Sequence, residues 1–340
     1  MRFLKIQSCA GVRANEEEQV QALDIIGVPS DLGVRELGVS LGPTAMRLAG
    51  LVNVLARLGF DVHDLGDIHI DVIDSPEQNP NCIHLRSIEQ ISKITAERVR
   101  DAVAGNRIAV CIGGDHSLAI GSVSGLASVK KRVGLVWIDA HPDANTPEST
   151  ITGNIHGMPV AVLLGRGPKE LTRILTDEPK VLPENLCILA ARDIDPAERE
   201  LLEKLNVRMY TIYDIDDKGM PRVTHEVIEQ FAGKVDALHV SLDLDALTKT
   251  IAPGVGIPNS AGLTLREAHY LCKRLGETGI IRSIDVADMN PVYDLESRTA
   301  HTAIELLCLL LGKEFSFDYG SYLRRQEEAS RLLFNKFQLR

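Results

Sequence analysis

Three short stretches of this 340-residue chain concentrate side chains able to hold a metal ion. In Cys111-Ile112-Gly113-Gly114-Asp115-His116-Ser117 two glycines follow a β-branched apolar run, and His116 stands where a strand would turn into a helix. A capped helix start explains that stretch equally well. In Trp137-Ile138-Asp139-Ala140-His141-Pro142-Asp143, the residues Asp139, His141 and Asp143 stand at i, i+2 and i+4. Extended chain sends alternate side chains to one face, so an extended strand exit would aim all three the same way. A polar loop with local turn bonds is the plain alternative, but buried carboxylates this close repel one another unless a cation sits among them. Ser241-Leu242-Asp243-Leu244-Asp245 repeats the pattern, with Asp243 and Asp245 on one face two residues apart.

Together the stretches supply four Asp and two His. Oxygen-rich ligation with a minority of imidazole suits Mn²⁺, with Fe, Co or Ni as alternatives, and disfavours a thiolate zinc site. Six donors are too many for one catalytic ion with an open position and suit two ions bridged by carboxylates. Such pairs lie about 3.5–4 Å apart and turn a bridging water into hydroxide near neutral pH. Two divalent ions, four carboxylates, neutral imidazoles and one hydroxide sum to a charge of about −1, which matches a cationic guanidinium better than an anionic phosphoester.

These stretches need elements to aim them. Short β-branched apolar runs recur at 23–28, 60–65, 107–112, 133–138, 186–190, 207–212, 237–244 and 280–286. Several are continuously apolar, as strands covered on both faces are. Segments with helical spacing lie between them at 43–58, 88–103, 117–130, 196–205, 223–231, 265–276 and 298–311. The alternation predicts an α/β fold: a single domain over 22–340 with a mostly parallel sheet of about eight strands and helices on both faces, behind an N-terminal extension at 1–21. In such sheets ligands gather beyond the carboxyl ends of the strands, where all three donor stretches fall.

A formal net charge of −10 argues against nucleic acid or an anionic membrane as a partner. No stretch approaches the roughly 20 apolar residues of a membrane span, and the opening residues lack the apolar core of a signal peptide. Cys9, Cys82, Cys111, Cys187, Cys272 and Cys308 are scattered without a C-x-x-C pair, which fits a reduced, cytoplasmic setting.

The segments GGDHS, DAHPD, GNIHGMP and SLDLDAL, with the earlier run GVPSDLGVRELGVSLGPTAMR, resemble the motifs of the arginase (ureohydrolase) family over about residues 24–311. The resemblance implies the arginase-like three-layer fold and two Mn²⁺, one held by His116, Asp139, Asp143 and Asp243, the other by Asp139, His141, Asp243 and Asp245. It implies that Asn145 and Thr152 bind a substrate α-carboxylate, and that Asp195, supported by Asp193 and Glu198, receives an α-ammonium group. His156 resembles the family's proton shuttle, and Asp288 stands where Glu usually pairs with the guanidinium. The implied reaction is attack of a metal-bridging hydroxide on the guanidinium carbon of L-arginine, with Asp143 steering protons as the intermediate collapses to L-ornithine and urea. A homo-oligomer, trimer or hexamer, is implied as well. Two positions depart from the pattern: Asp288 is one methylene shorter than Glu, and Ile257 stands where Thr is usual. Residues 291–303 also look somewhat like formimidoylglutamases. Alternatives are therefore a ureohydrolase acting on agmatine, guanidinobutyrate or formimidoylglutamate, a non-catalytic metal-binding homologue, and a metal-dependent deacetylase of related architecture.

Overall fold

Apolar runs without alternation have to be covered on both faces, and the chain does this by building one sheet between two layers of helices. The computed structural model describes residues 20–317. Cys9 and the extension expected at 1–21 lie outside the described residues, apart from Val20 and Gln21. The eight strands are β1 (Ala22–Val28), β2 (Asp61–Asp67), β3 (Ile108–Gly113), β4 (Val133–Ile138), β5 (Leu186–Ala191), β6 (Arg208–Thr211), β7 (Ala237–Asp243) and β8 (Ile281–Ala287). They form a single sheet of order β2-β1-β3-β8-β7-β4-β5-β6, and every pairing is parallel.

Alternate residues of the central strands enter different cores. Val110, Ile112, Val136 and Ile138 join one apolar cluster with Met46, Leu55, Phe231, Leu271 and Leu307, which lie on the helices Gly42–Leu48, Leu51–Arg57, Met220–Phe231, Leu265–Gly276 and Arg298–Leu310. Ala109, Cys111, Leu135 and Trp137 face the other side, against Val99, Val123, Leu163 and Leu202 of the helices Leu85–Ala104, Leu118–Ala127, Pro159–Leu163 and Pro196–Lys204. The five described cysteines are free and buried, packing as small hydrophobes. No single described helix is long and apolar enough to cross a membrane.

The chain departs from the expected elements where local backbone chemistry intervenes. The helix expected at 43–58 is two helices, because Gly50 takes φ 96° between them. The strand expected at 207–212 stops at Thr211, whose hydroxyl accepts the Asp214 N–H at 3.2 Å while Asp214 accepts the Thr211 N–H at 2.8 Å. That capping box starts a helix, Ile212–Lys218, inside what looked like strand. The short helices Pro159–Leu163 and Lys169–Thr172 were not anticipated.

Candidate metal centre

The strands β3, β8, β7, β4 and β5 are consecutive in the sheet, and each ends on a residue of interest. His116 follows β3, Asp288 follows β8, Asp243 closes β7 with Asp245 just beyond, and Asp139 follows β4. Beyond β5 lie Asp193 and Asp195, the latter capping Pro196–Lys204. Residues 172 positions apart in sequence thus meet on one edge because the sheet order interleaves late strands between early ones.

Close backbone contacts fix the His116 turn. A Cβ on Gly114 would sit 1.8 Å from the Ser30 carbonyl oxygen, so only glycine lets the two loops touch. Asp115 is a structural residue: its buried carboxylate accepts the Gly33 and Ser117 N–H groups at 3.0 and 2.9 Å. His116 lies 3.9 Å above the Trp137 ring, nearly parallel to it.

The six residues expected as ligands come together. His116 Nδ1 faces Asp139, Asp143 and Asp243 oxygens at 2.9, 3.2 and 3.2 Å. His141 Nδ1 faces Asp245 at 3.0 Å and Asp139 at 3.3 Å. A ring nitrogen has at most one proton to donate, so three carboxylates around one nitrogen is the arrangement of ligands about a cation. One donor atom each from His116, Asp139 and Asp243 lies within 4.8 Å of the others, as do donors from Asp139, His141 and Asp245. Asp139 belongs to both sets, as a bridging carboxylate would. The donor chemistry, carboxylate with minor imidazole, fits two divalent metal ions. The cluster is buried except at His141, whose side chain keeps 23% exposure and opens toward solvent.

Electrostatics point the same way. Burial, then the Asp139 charge, holds the Asp143 carboxyl well above its ordinary range. Burial followed by neighbouring carboxylates pushes Asp243 and Asp245 up to about 7. Burial alone would lower His116, yet Asp139, Asp143 and Asp243 raise it well above the usual imidazole range. Burial works against Asp139 ionisation too, but His116 and His141 hold its carboxyl low. A divalent cation relieves this crowding directly.

A buried polar chain that sequence reading missed backs the cluster. His116 Nε2 meets Ser241 Oγ at 2.8 Å, and Ser241 reaches Asp285 Oδ2 at 3.4 Å. Asp285 Oδ2 also takes Ser122 Oγ at 2.7 Å and meets His239 Nε2 at 2.9 Å, and His239 Nδ1 meets Ser283 Oγ at 2.6 Å. Such partners orient a ligating imidazole and fix its tautomer. The clue in the sequence was a polar residue inside each of two apolar runs, His239 in β7 and Asp285 in β8. Arg192 was missed as well: its guanidinium donates to the carbonyl oxygens of Asp245 at 2.6 Å and Ser260 at 2.8 Å, clamping the backbone behind a metal-cluster residue.

Among the expected substrate residues, Asn145 Nδ2 donates to Asp195 Oδ2 at 2.9 Å. Glu198 accepts the Ala144 and Asp195 N–H groups at 2.8 and 3.0 Å, joining the Asp143 loop to the cap of Pro196–Lys204. Asp193 is exposed, 3.6 Å from His141 Nε2. Thr152 is exposed on its loop, and its hydroxyl accepts the Asn154 N–H at 3.2 Å; no hydrogen bond joins it to the Asn145–Asp195 group among the described residues. His156 lies on a short turn tied to Gly33 by its N–H at 3.0 Å. Burial, then His141, pushes its imidazole down to about 4. Asp288 is buried at φ 66° and accepts the Gly256 and Ile257 N–H groups at 3.0 and 3.4 Å.

Comparison with known proteins bears on this geometry. A sequence model described as the Arginase family matches residues 21–312. The chain is 40% identical over 297 residues to an arginase of Bacillus caldovelox, spanning 87% of this chain and 99% of the relative. A crystal structure of Bacillus caldovelox arginase is similar with a TM-score of 0.84 at 39% identity, covering 87% of this chain and 100% of the other. Entamoeba histolytica arginase in complex with L-ornithine is similar with a TM-score of 0.80 at 29% identity, covering 86% of this chain and 99% of that one.

Proposed function

The chain belongs to the arginase family, and on that premise we propose that it is a binuclear manganese amidinohydrolase cleaving L-arginine to L-ornithine and urea. The observation that supports the substrate most is the Asn145–Asp195 hydrogen bond with Glu198 beneath it, a polar shelf beside the metal cluster for an α-amino acid. His116, Asp139, Asp143 and Asp243 would hold one ion, and Asp139, His141, Asp243 and Asp245 the other. When bound, the two ions supply Lewis acidity and activate water at neutral pH.

The chain's own groups do the rest. Asp195, supported by Asp193 and Glu198, takes the α-ammonium group, while Asn145 and Thr152 take the α-carboxylate. Asp288 presents its carboxylate to the guanidinium, whose charge suits the acidic floor. Asp143 holds a proton on its carboxylate between the attack and the collapse. His156 starts neutral, since burial disfavours its charged imidazole. It therefore accepts a proton before delivering one to the leaving amine. A homo-oligomer, trimer or hexamer, in the cytoplasm accompanies this reading.

A second reading, hydrolysis of another guanidino or formimidoyl compound, is favoured by one observation: the Asp288 carboxylate is drawn back onto the Gly256 and Ile257 amides. A panel of arginine, agmatine, guanidinobutyrate and formimidoylglutamate on manganese-loaded protein, with urea and ammonia both quantified, separates the two. Arginine is expected to give the highest kcat/KM with urea as product. A preference for any other member, or ammonia in place of urea, overturns the arginine assignment.

A further inference from the structure

Asp288 is held in an unusual state for a group that would only wait for substrate. Its Oδ2 accepts two backbone N–H groups, from Gly256 at 3.0 Å and Ile257 at 3.4 Å, whereas Oδ1 has no hydrogen-bond partner although the residue is only 2% exposed. One carboxylate oxygen from each of Asp243, Asp245 and Asp288 lies within 4.8 Å of the other two. Three buried carboxylates at that spacing repel unless a cation lies between them.

The surrounding backbone holds the carboxylate in this place. The Asp288 N–H donates to the Gly114 carbonyl at 2.8 Å, beside the turn that carries His116, and the Asp288 carbonyl accepts the Gly256 N–H at 3.2 Å. A Cβ on Gly256 would come within 2.9 Å of Asp288 Oδ1 and 3.1 Å of Oδ2, so a glycine there leaves the carboxylate its room. A side chain one methylene longer would carry its oxygens about 1.5 Å further along.

From these contacts we propose that Asp288 is a ligand of the ion held by Asp243 and Asp245, a seventh protein donor to the metal pair. Hard divalent ions accept an added carboxylate oxygen readily, and the free Oδ1 supplies one without giving up the amide contacts of Oδ2. The inference rests on the two-metal reading of the site. Asp288 then serves the ion with one oxygen while its carboxylate still faces the guanidinium pocket.

Manganese titration of the metal-stripped full chain, followed by calorimetry and by the electron paramagnetic resonance of the coupled pair, tests this. The wild type is expected to bind two ions. Asp288→Asn, which keeps the shape and an acceptor for the Gly256 amide, should lose on the order of 10–100-fold in affinity for one ion only. The other ion, bound as before, then reports an intact fold. Asp288→Glu keeps the charge but displaces the oxygens, and should weaken the same ion. Wild-type affinity for both ions in Asp288→Asn overturns the proposal. So does full retention in Asp288→Glu beside loss in Asp288→Asn, which would be a field effect without ligation, and so does equal weakening of both ions. Fewer than two ions on the wild type sinks the two-metal reading and this inference with it.

Discussion

His116 presents one ring nitrogen to three carboxylate oxygens, and that contact holds most of the chemistry of the site. Protons and metal ions compete for the same atoms, so metal affinity must depend on pH. Burial first, then neighbouring carboxylates, raises Asp243 and Asp245 to about 7. Each has to lose its proton to ligate, as do the raised imidazoles of His116 and His141, so affinity rises with pH across this range and falls by roughly tenfold or more between about pH 8 and pH 6. Calorimetric manganese titrations at the two pH values check this, and equal affinity at both contradicts it. The metal-stripped chain should show the opposite trend. A carboxylate raised above its unfolded value binds protons better when folded, so its contribution to stability is lost as pH rises from about 4 through about 7. Thermal melts in chelator across that window should therefore fall with rising pH. At the same scale, Asp195→Ala should remove most arginine turnover, chiefly by raising KM. The clustering of these six residues was legible because i, i+2 spacing at strand ends survives translation into geometry. Thr152 and Asp193 were chosen by resemblance alone, and both are exposed on their loops.

At the level of elements, each donor is aimed by the end of a parallel strand, and the loops that follow tolerate little change. Gly114→Ala would drive a methyl into the Ser30 carbonyl, so His116 should shift and metal binding weaken along with stability. A drop in both manganese affinity and melting temperature is the expected result. Asp285→Asn tests the chain running from β8 through Ser241 to His116: metal affinity should fall on the order of 10–100-fold although no ligand is altered. Unchanged affinity would show that the chain is packing only. Seven helical segments and eight strands were readable from apolar spacing, because β-branched runs and 3.6-residue periodicity report burial directly. The rest depended on information that spacing does not carry. The left-handed Gly50 that divides one helix, and the Thr211–Asp214 box that ends a strand early, are single-residue backbone decisions. His239 and Asp285 pair across β7 and β8, and neither sequence neighbourhood hints at the other.

Over the whole molecule, the sheet order brings the ends of β3, β8, β7 and β4 side by side, so an ion bound there would tie early and late parts of the chain together. That order was not readable, since the number of strands does not determine which lie adjacent. Ions that bind only the folded state stabilise it by about 2.7 kcal/mol per site at a concentration near 100 times Kd. Removing them with a chelator should lower the melting temperature, and manganese should restore it. The family comparison covers the sheet and its helices in one match, residues 21–312, so the catalytic reading applies to that unit as a whole. The most direct test of the central claim is to supply L-arginine to the chain carrying two manganese ions and to measure urea and ornithine together. The account predicts the two products in equal amounts, with the yield collapsing when the ions are removed. A fully loaded chain that releases no urea from arginine would contradict it.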